Sequence, residues 1–533
     1  MYQRQPFLVL IGFSINVLAE FNWPSHGLTE LNSRNVNDVD KKNPIDSSNV
    51  AKLTSAWNFT TGTTANSGTP AIKGSGVYHC SFDGNLYAIK KKTGALLWKA
   101  KISDITGVTG DYCRSTPALD GDTLVVGTQK SGYLFALRIS TGTLLWKTKP
   151  NPHPLAVWTM GGTIFEDHVY IGASSMEEAA SANPSYPCCS FRGSFHKIKL
   201  QTGEVVWTFW AIDLALPVGP GQYSGNGVWG SSPAVDKKRS AVFIGTGNPY
   251  DLPASVQTCA NNAQATNTDP SPCIDSRVYF NSIVSLNMDT GAINWVTRRT
   301  NYDAWVYACT LGGPSCPATA GPDADFGMAP ILVRRGPHKK DVLLAGQKSG
   351  VAWSIDPDTG AVNWGVQTGP SGTLGGSNWG SASDGERYYV GNVNSNQLPY
   401  LQGPPASVEH HGGGWTALNV DTGAFVWQQA DPAALSSDPS LRAGSAGVGP
   451  GTLVNDVLFV GSTAKDGELY AIHKLTGEIL WRWATGGSIY GGASVSGGCV
   501  YVGSGYVPFR PVWATNDKIL AFCLPGHMGS DDD

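Results

Sequence analysis

Glu177, Asn248 and Asp303 carry the oxygen donors most suited to chemistry in this chain. Two carboxylates and a carboxamide are hard ligands, and they suit calcium better than zinc, which draws on Cys and His. Near them in the same kind of segment lie Arg114 in DYCRSTP, Thr159 in VWTMGG, Ser174 in GASSMEE, Trp229 in NGVWGSSP, Lys348 in GQKSG and Asn394 in GNVNSN. A cation held by oxygen ligands beside a carboxylate able to take a proton is one reading of this set. The other is a collection of polar turn residues in solvated loops. The QKSG around Lys130 duplicates the one around Lys348 and supports that second reading for the lysine.

The elements that must position these residues follow one phrase. Thr-Gly, three residues and Trp recur seven times, ending at Trp98, Trp146, Trp207, Trp295, Trp364, Trp427 and Trp481, at spacings of 48 to 88 residues. Each copy reads as a strand, a glycine turn and a second strand closed by an aromatic residue. Upstream of each lies another strand pair, as in STPALDGDTLVVG and SSPAVDKKRSAVFIG. Such a strand-only repeat predicts an all-β, eight-bladed propeller of four-stranded antiparallel blades. The eighth blade needs Trp57 and its neighbours from the N-terminus, paired with CVYVGSGY and KILAFCL from the C-terminus, which closes the ring and removes the sheet edge. With strands named A to D within a blade, the loops after B and after D share one face. The candidate residues all fall in those two loop classes, so a site on the ring axis is expected to draw on them.

A formal charge of −4 over 533 residues leaves no electrostatic footprint for nucleic acid. Arg4, an apolar run over residues 6–19 and Val17-Leu18-Ala19 read as a secretory signal peptide over residues 1–19, too short for a membrane span. The propeller is then assigned to residues 20–524. The final 525–533, ending GHMGSDDD, resemble a cloning scar outside the fold. Ten cysteines suit an oxidising compartment, the secretory lumen or beyond. Cys259 with Cys273 and Cys309 with Cys316 each fall in one long excursion and are expected to staple it locally, although spacing does not fix connectivity.

Taken together, NWPSHG, SSMEE, CCSFRGSF, WGSSP, GTGN, YDAW, PDADFG, QKSG and IYGGASVSGGCVYVG resemble the pyrroloquinoline quinone (PQQ) dehydrogenases, most nearly their polyvinyl-alcohol-dehydrogenase-like branch. The resemblance runs from about Asn22 to Leu524. It implies PQQ and Ca²⁺ as cofactors, an alcohol substrate, small or polymeric, and an external electron acceptor. Carried over by position, Glu177 and Asn248 match calcium ligands, and Asp303 matches the catalytic base beside the same ion. Arg114 and Lys348 match side chains that hydrogen-bond the quinone, Thr159 and Ser174 match contacts to its carboxylates, and Trp229 matches the indole beneath it. Asn394 is counted with the cofactor-binding residues. Trp305, two positions after Asp303, stands where lanthanide-using relatives have a second aspartate, which favours calcium. Gly227 replaces a hydroxyl residue found in many relatives. The adjacent Cys188 and Cys189 are also placed with the cofactor contacts. In methanol-oxidising relatives such a pair lies before the matching arginine, where this chain has only Cys113. Two arrangements therefore stay open: a bond between the neighbours that lids the pocket, or bonds to distant partners such as Cys80 or Cys113.

No Cys-x-x-Cys-His appears, so covalent haem is not expected, and no Gly-x-Gly-x-x-Gly opens a helix after a strand. The competing expectation is a propeller that keeps the pocket without the quinone, as a binding scaffold or a cofactor-free catalyst on a specialised metabolite.

Overall fold

The computed structural model describes residues 21–62, 65–372, 374–404, 407–437, 444–506 and 513–527. The expected signal segment and residues 528–533 lie outside them. Eight antiparallel sheets follow one another along the chain, each built on four principal strands. Blades 1 to 7 occupy residues 71–101, 118–148, 163–210, 234–298, 331–367, 382–430 and 452–484. Blade 8 takes its three inner strands from residues 494–523 and its outer strand from Thr54–Thr60. Trp57 stands opposite Ala521 in that last pairing, so the termini close the ring. The innermost strand of each blade touches that of the next, and 494–496 returns to 71–73.

The repeated phrase is the joint between blades. Each tryptophan indole donates to a backbone carbonyl in the turn of the following blade, as Trp98 does to Ile139 and Trp146 to Leu200. The turn glycine of that next blade lies flat on the same indole. Gly203 has φ +74°, and a Cβ there would come 2.5 Å from Trp146 Cε3. Only glycine satisfies both the backbone and the ring, which is why Thr-Gly and Trp recur together. The circuit finishes with Trp481 donating to Leu53 and Trp57 to Lys91. Middle strands such as Val342–Gly346 are buried along their whole length between neighbouring blades, while outer strands such as Leu96–Lys101 are mostly exposed.

Residues 21–34 run around the inside of the ring before the first blade. Their backbone pairs with Ile72, Leu119, Val235, Leu332 and Leu453, inner-strand residues of five different blades. Arg34 is fully buried there. Its guanidinium donates to Gly451 O, Ala493 O and Thr452 Oγ1 and also bonds His26 O. The axis is thus filled from one side, and a cavity of about 20 Å³, the room of one water, remains beside His26.

All ten cysteines are paired: 80 with 113, 188 with 189, 259 with 273, 309 with 316 and 499 with 523. The two long excursions are stapled locally. The first also holds a helix, Ala254–Ala265, which the strand-only reading did not anticipate. Among the described residues no helix is long and apolar enough to cross a membrane.

Candidate functional site

The loops after strands B and D bring Lys348, Asp323, Asp325 and Trp229 together. Lys348 Nζ lies 2.8 Å from Asp323 Oδ1 and 3.2 Å from Asp325 Oδ2, and 5.5 Å over the Trp229 ring. Trp229 Nε1 donates to Asp325 Oδ2 at 2.9 Å, and the Asn248 amide donates to Asp325 Oδ1 at 2.5 Å. Glu178, partly buried, is close enough to act electrostatically on both Lys348 and Asp325.

The electrostatics follow from three carboxylates facing one ammonium in a dry setting. Burial pushes the Asp323 carboxyl well above the usual range; Lys348 opposes this, while Asp325, Glu178 and Asp303 reinforce it. Burial likewise raises Glu178 to about 7. Burial alone would lower the Lys348 ammonium, but its carboxylate neighbours outweigh that and raise it. Asp323 has φ +58°, a backbone setting that costs a non-glycine residue energy and concentrates at functional sites. Its Oδ2 is buried with no hydrogen-bond partner.

The residues singled out from sequence fall into three groups. Lys348, Trp229 and Asn248 belong to this cluster, and Thr159 joins it by donating to the Trp229 carbonyl at 2.8 Å. Ser174 hydrogen-bonds the buried Tyr250 phenol, which also feels Glu178 and Asp325. Arg114 stands on the other side of the tryptophans, its guanidinium 5.0 Å over Trp379.

Glu177 and Asp303 take positions behind the cluster. Glu177 Oε1 accepts from Tyr186 Oη at 2.8 Å and the Ser190 amide at 2.7 Å, and Oε2 accepts from the Phe191 amide at 2.7 Å. Burial opposes its charge, yet hydrogen bonds from His153, Phe191, Tyr186 and Ser190 hold it below the usual carboxylate range. It closes its own loop. Asp303 is fully buried and accepts from Asn281 Nδ2 at 2.7 Å, the Ala324 amide at 2.7 Å and the Asp323 amide at 3.1 Å. It shapes the backbone that presents Asp323 and Asp325. Burial raises it to about 6 against those donors. The acidic pair beside Lys348 is Asp323-Ala324-Asp325, and its second aspartate has both oxygens engaged, Oδ2 by Trp229 and Lys348 and Oδ1 by the Asn248 amide.

Asn394 is engaged locally, with Leu398 N, Leu398 O and Gly412 O. The carboxamide near Trp229 is instead Asn378, whose buried Oδ1 has no partner. Cys188 and Cys189 are bonded to each other, not to Cys80 or Cys113. They belong to one apolar cluster with Phe191, Tyr250 and Val306, against which the second local disulfide, 309–316, also packs. Asp323 and Asp325, the aspartates of PDADFG, join the site although the motif carries no role of its own in the sequence. The signal there was two carboxylates one residue apart, just before an inner strand and on the site face.

Two observations fit an added cation: carboxylates exceed ammonium groups in the cluster, and Asp323 Oδ2 is unsatisfied. Among the described residues no three Asp, Glu, His or Cys side chains already form a metal cage. A cation here therefore needs carboxamide oxygens or a bound anion to complete its shell.

Residues 23–371 match the family described as "Glucose/ethanol/alcohol dehydrogenase, beta-propeller domain", and 411–518 match "Outer membrane protein assembly factor BamB". The chain is 27% identical over 501 residues to a polyvinylalcohol dehydrogenase of Sphingopyxis sp. (strain 113P3), covering 87% of this chain and 70% of that protein. A second, from Pseudomonas sp., is 26% identical with the same coverage. The solved quinohemoprotein alcohol dehydrogenase of Comamonas testosteroni superposes with TM-score 0.70 at 19% identity, over 96% of this chain and 81% of the other, which shows the shared fold.

Proposed function

Because the chain belongs to the glucose/ethanol/alcohol dehydrogenase β-propeller family, we propose that it oxidises an alcohol to a carbonyl compound with PQQ and a calcium ion. Electrons leave to an external acceptor. The observation that carries this reading is the Lys348–Asp323–Asp325 group set beside the Trp229 ring. When bound, the quinone supplies the two-electron acceptor and the cation a Lewis acid.

The chain's own residues divide the remaining work. Asp323 takes the hydroxyl proton: one oxygen is fixed on Lys348 and the other is buried without a partner, free to meet the alcohol. Asp303 is a positioning residue that holds the Asp323 and Ala324 amides. Glu178 and Asn248 face the cation. The Asn248 Nδ2 is anchored on Pro249 O and Trp305 O, which leaves its carboxamide oxygen as the donor. Glu177 fixes the loop that carries Glu178 and the vicinal disulfide. Trp229 gives the cofactor a flat face, with Lys348 at one end and Arg114, Thr159 and Ser174 supplying charge and hydroxyls for its carboxylates. Phe191, Tyr250 and Cys188-Cys189 keep water from the cluster. The polyvinylalcohol dehydrogenase relatives favour secondary alcohols, small or polymeric, and the five disulfides favour a protein acting in the secretory lumen or outside the cell.

The test is a single variant. Asp323→Asn is expected to lower kcat by about 10²–10⁴-fold, the range of general-base removal, while cofactor binding and melting temperature hold. Turnover at the parent rate in that variant removes Asp323 from the mechanism.

A further inference from the structure

Asn58-Phe59-Thr60 is the one place in the 533 residues where an asparagine is followed, after a residue other than proline, by Ser or Thr. The near match Asn183-Pro184-Ser185 has proline in the middle. Such a triplet is the acceptor for an N-linked glycan in a secreted protein, and its asparagine must reach solvent. This one lies in the strand Thr54–Thr60, the outermost of blade 8, at the end of its sheet. Trp57 and Phe59 face blade 1: the Trp57 indole donates to Lys91 O at 2.9 Å, and Phe59 meets Tyr87 edge to face at 5.2 Å. Strand alternation sends Asn58 and Thr60 to the opposite side, and both are exposed.

The order in which the strands are made keeps that asparagine available. The principal strands of blades 1 to 7 pair within one stretch of chain, whereas Thr54–Thr60 pairs only with Lys518–Cys523. The Thr60 hydroxyl accepts from Lys518 Nζ at 2.6 Å across a separation of 458 residues. At a synthesis rate of about 5–20 residues per second, the strand waits for its partner for roughly 20–90 s. Once the ring has closed, Asn58 still faces outward, so a glycan there displaces neither the Trp57 joint nor the Phe59 contact. Relying on the secretory-lumen reading above, we propose that Asn58 is a site of N-linked glycosylation. Its Nδ2 attacks the terminal sugar C1 of a lipid-pyrophosphate-linked oligosaccharide. The new N–C1 bond replaces the C1–O bond, the lipid pyrophosphate leaves, and the carboxamide gives up one proton.

The experiment expresses the full chain in a eukaryotic secretory host, once with its own residues 1–19 and once with a leader that directs secretion in their place. Exported protein is treated with peptide N-glycosidase in heavy-oxygen water, which turns a glycosylated Asn into labelled Asp, and is mapped by mass spectrometry. Near-complete label at Asn58 and at no other asparagine is expected. It should be lost in Thr60→Ala, where Asn58 itself is untouched, and kept in Thr60→Ser. An unlabelled Asn58 in protein exported by either leader overturns the proposal, as does label that persists unchanged in Thr60→Ala. Label under the foreign leader with no export under residues 1–19 supports the site and overturns the secretory reading. If Thr60→Ala fails to leave the cell, the digests of the unsubstituted chain and of Thr60→Ser decide.

Discussion

Two lysines in identical QKSG motifs have different fates: Lys348 is buried among Asp323 and Asp325, whereas Lys130 is exposed. The motif was legible, but the carboxylates that turn one copy into a site come from a loop more than twenty residues upstream, and only the fold sets them opposite. Asp303 shows the same limit from the other side. Its residue type and its neighbour Trp305 pointed to chemistry, but three N–H donors converge on it. Replacing it by Ala leaves those buried donors unsatisfied, each worth about 1–3 kcal/mol. We therefore expect Asp303→Ala to lower melting temperature and activity together. An intact melting profile with activity abolished would return Asp303 to the role of base.

At the scale of elements, the loop from residue 173 to 191 links the carboxylate Glu177 to the vicinal disulfide through two backbone amides, Ser190 and Phe191. Sequence showed that this loop was long and held both features, and it left the pairing of Cys188 open because connectivity is a tertiary property. Since that bond closes almost no chain, replacing both cysteines by Ser should weaken cofactor binding while barely changing stability. Removing Cys499–Cys523, which closes 24 residues, should cost roughly 3 kcal/mol in the chain-entropy account. Equal losses of stability in the two double variants would contradict this division. The turn glycines make a sharper case. Gly203→Ala puts a methyl against the Trp146 ring at a positive φ, and a destabilisation of about 1–3 kcal/mol in denaturant unfolding is expected.

The whole molecule was the most legible part, because Thr-Gly and Trp are two halves of one contact repeated around a ring. Eight blades and their closure could be counted from it. The axial segment was not, since NWPSHG and the residues after it lack any periodicity and take their shape from the inner strands of five blades. Deleting residues 22–62 removes both the outer strand of blade 8 and that axial filling. No soluble, cooperatively melting protein should result, because the Lys518–Cys523 strand becomes an open edge. The central claim is met most directly by reconstitution: titrating PQQ, with calcium present, into stripped protein and following dye reduction by a secondary alcohol. The account predicts activity that rises from zero and saturates near one quinone per chain. Alcohol oxidation at full rate without added quinone, or a saturated site that reduces no dye with any alcohol, would contradict it.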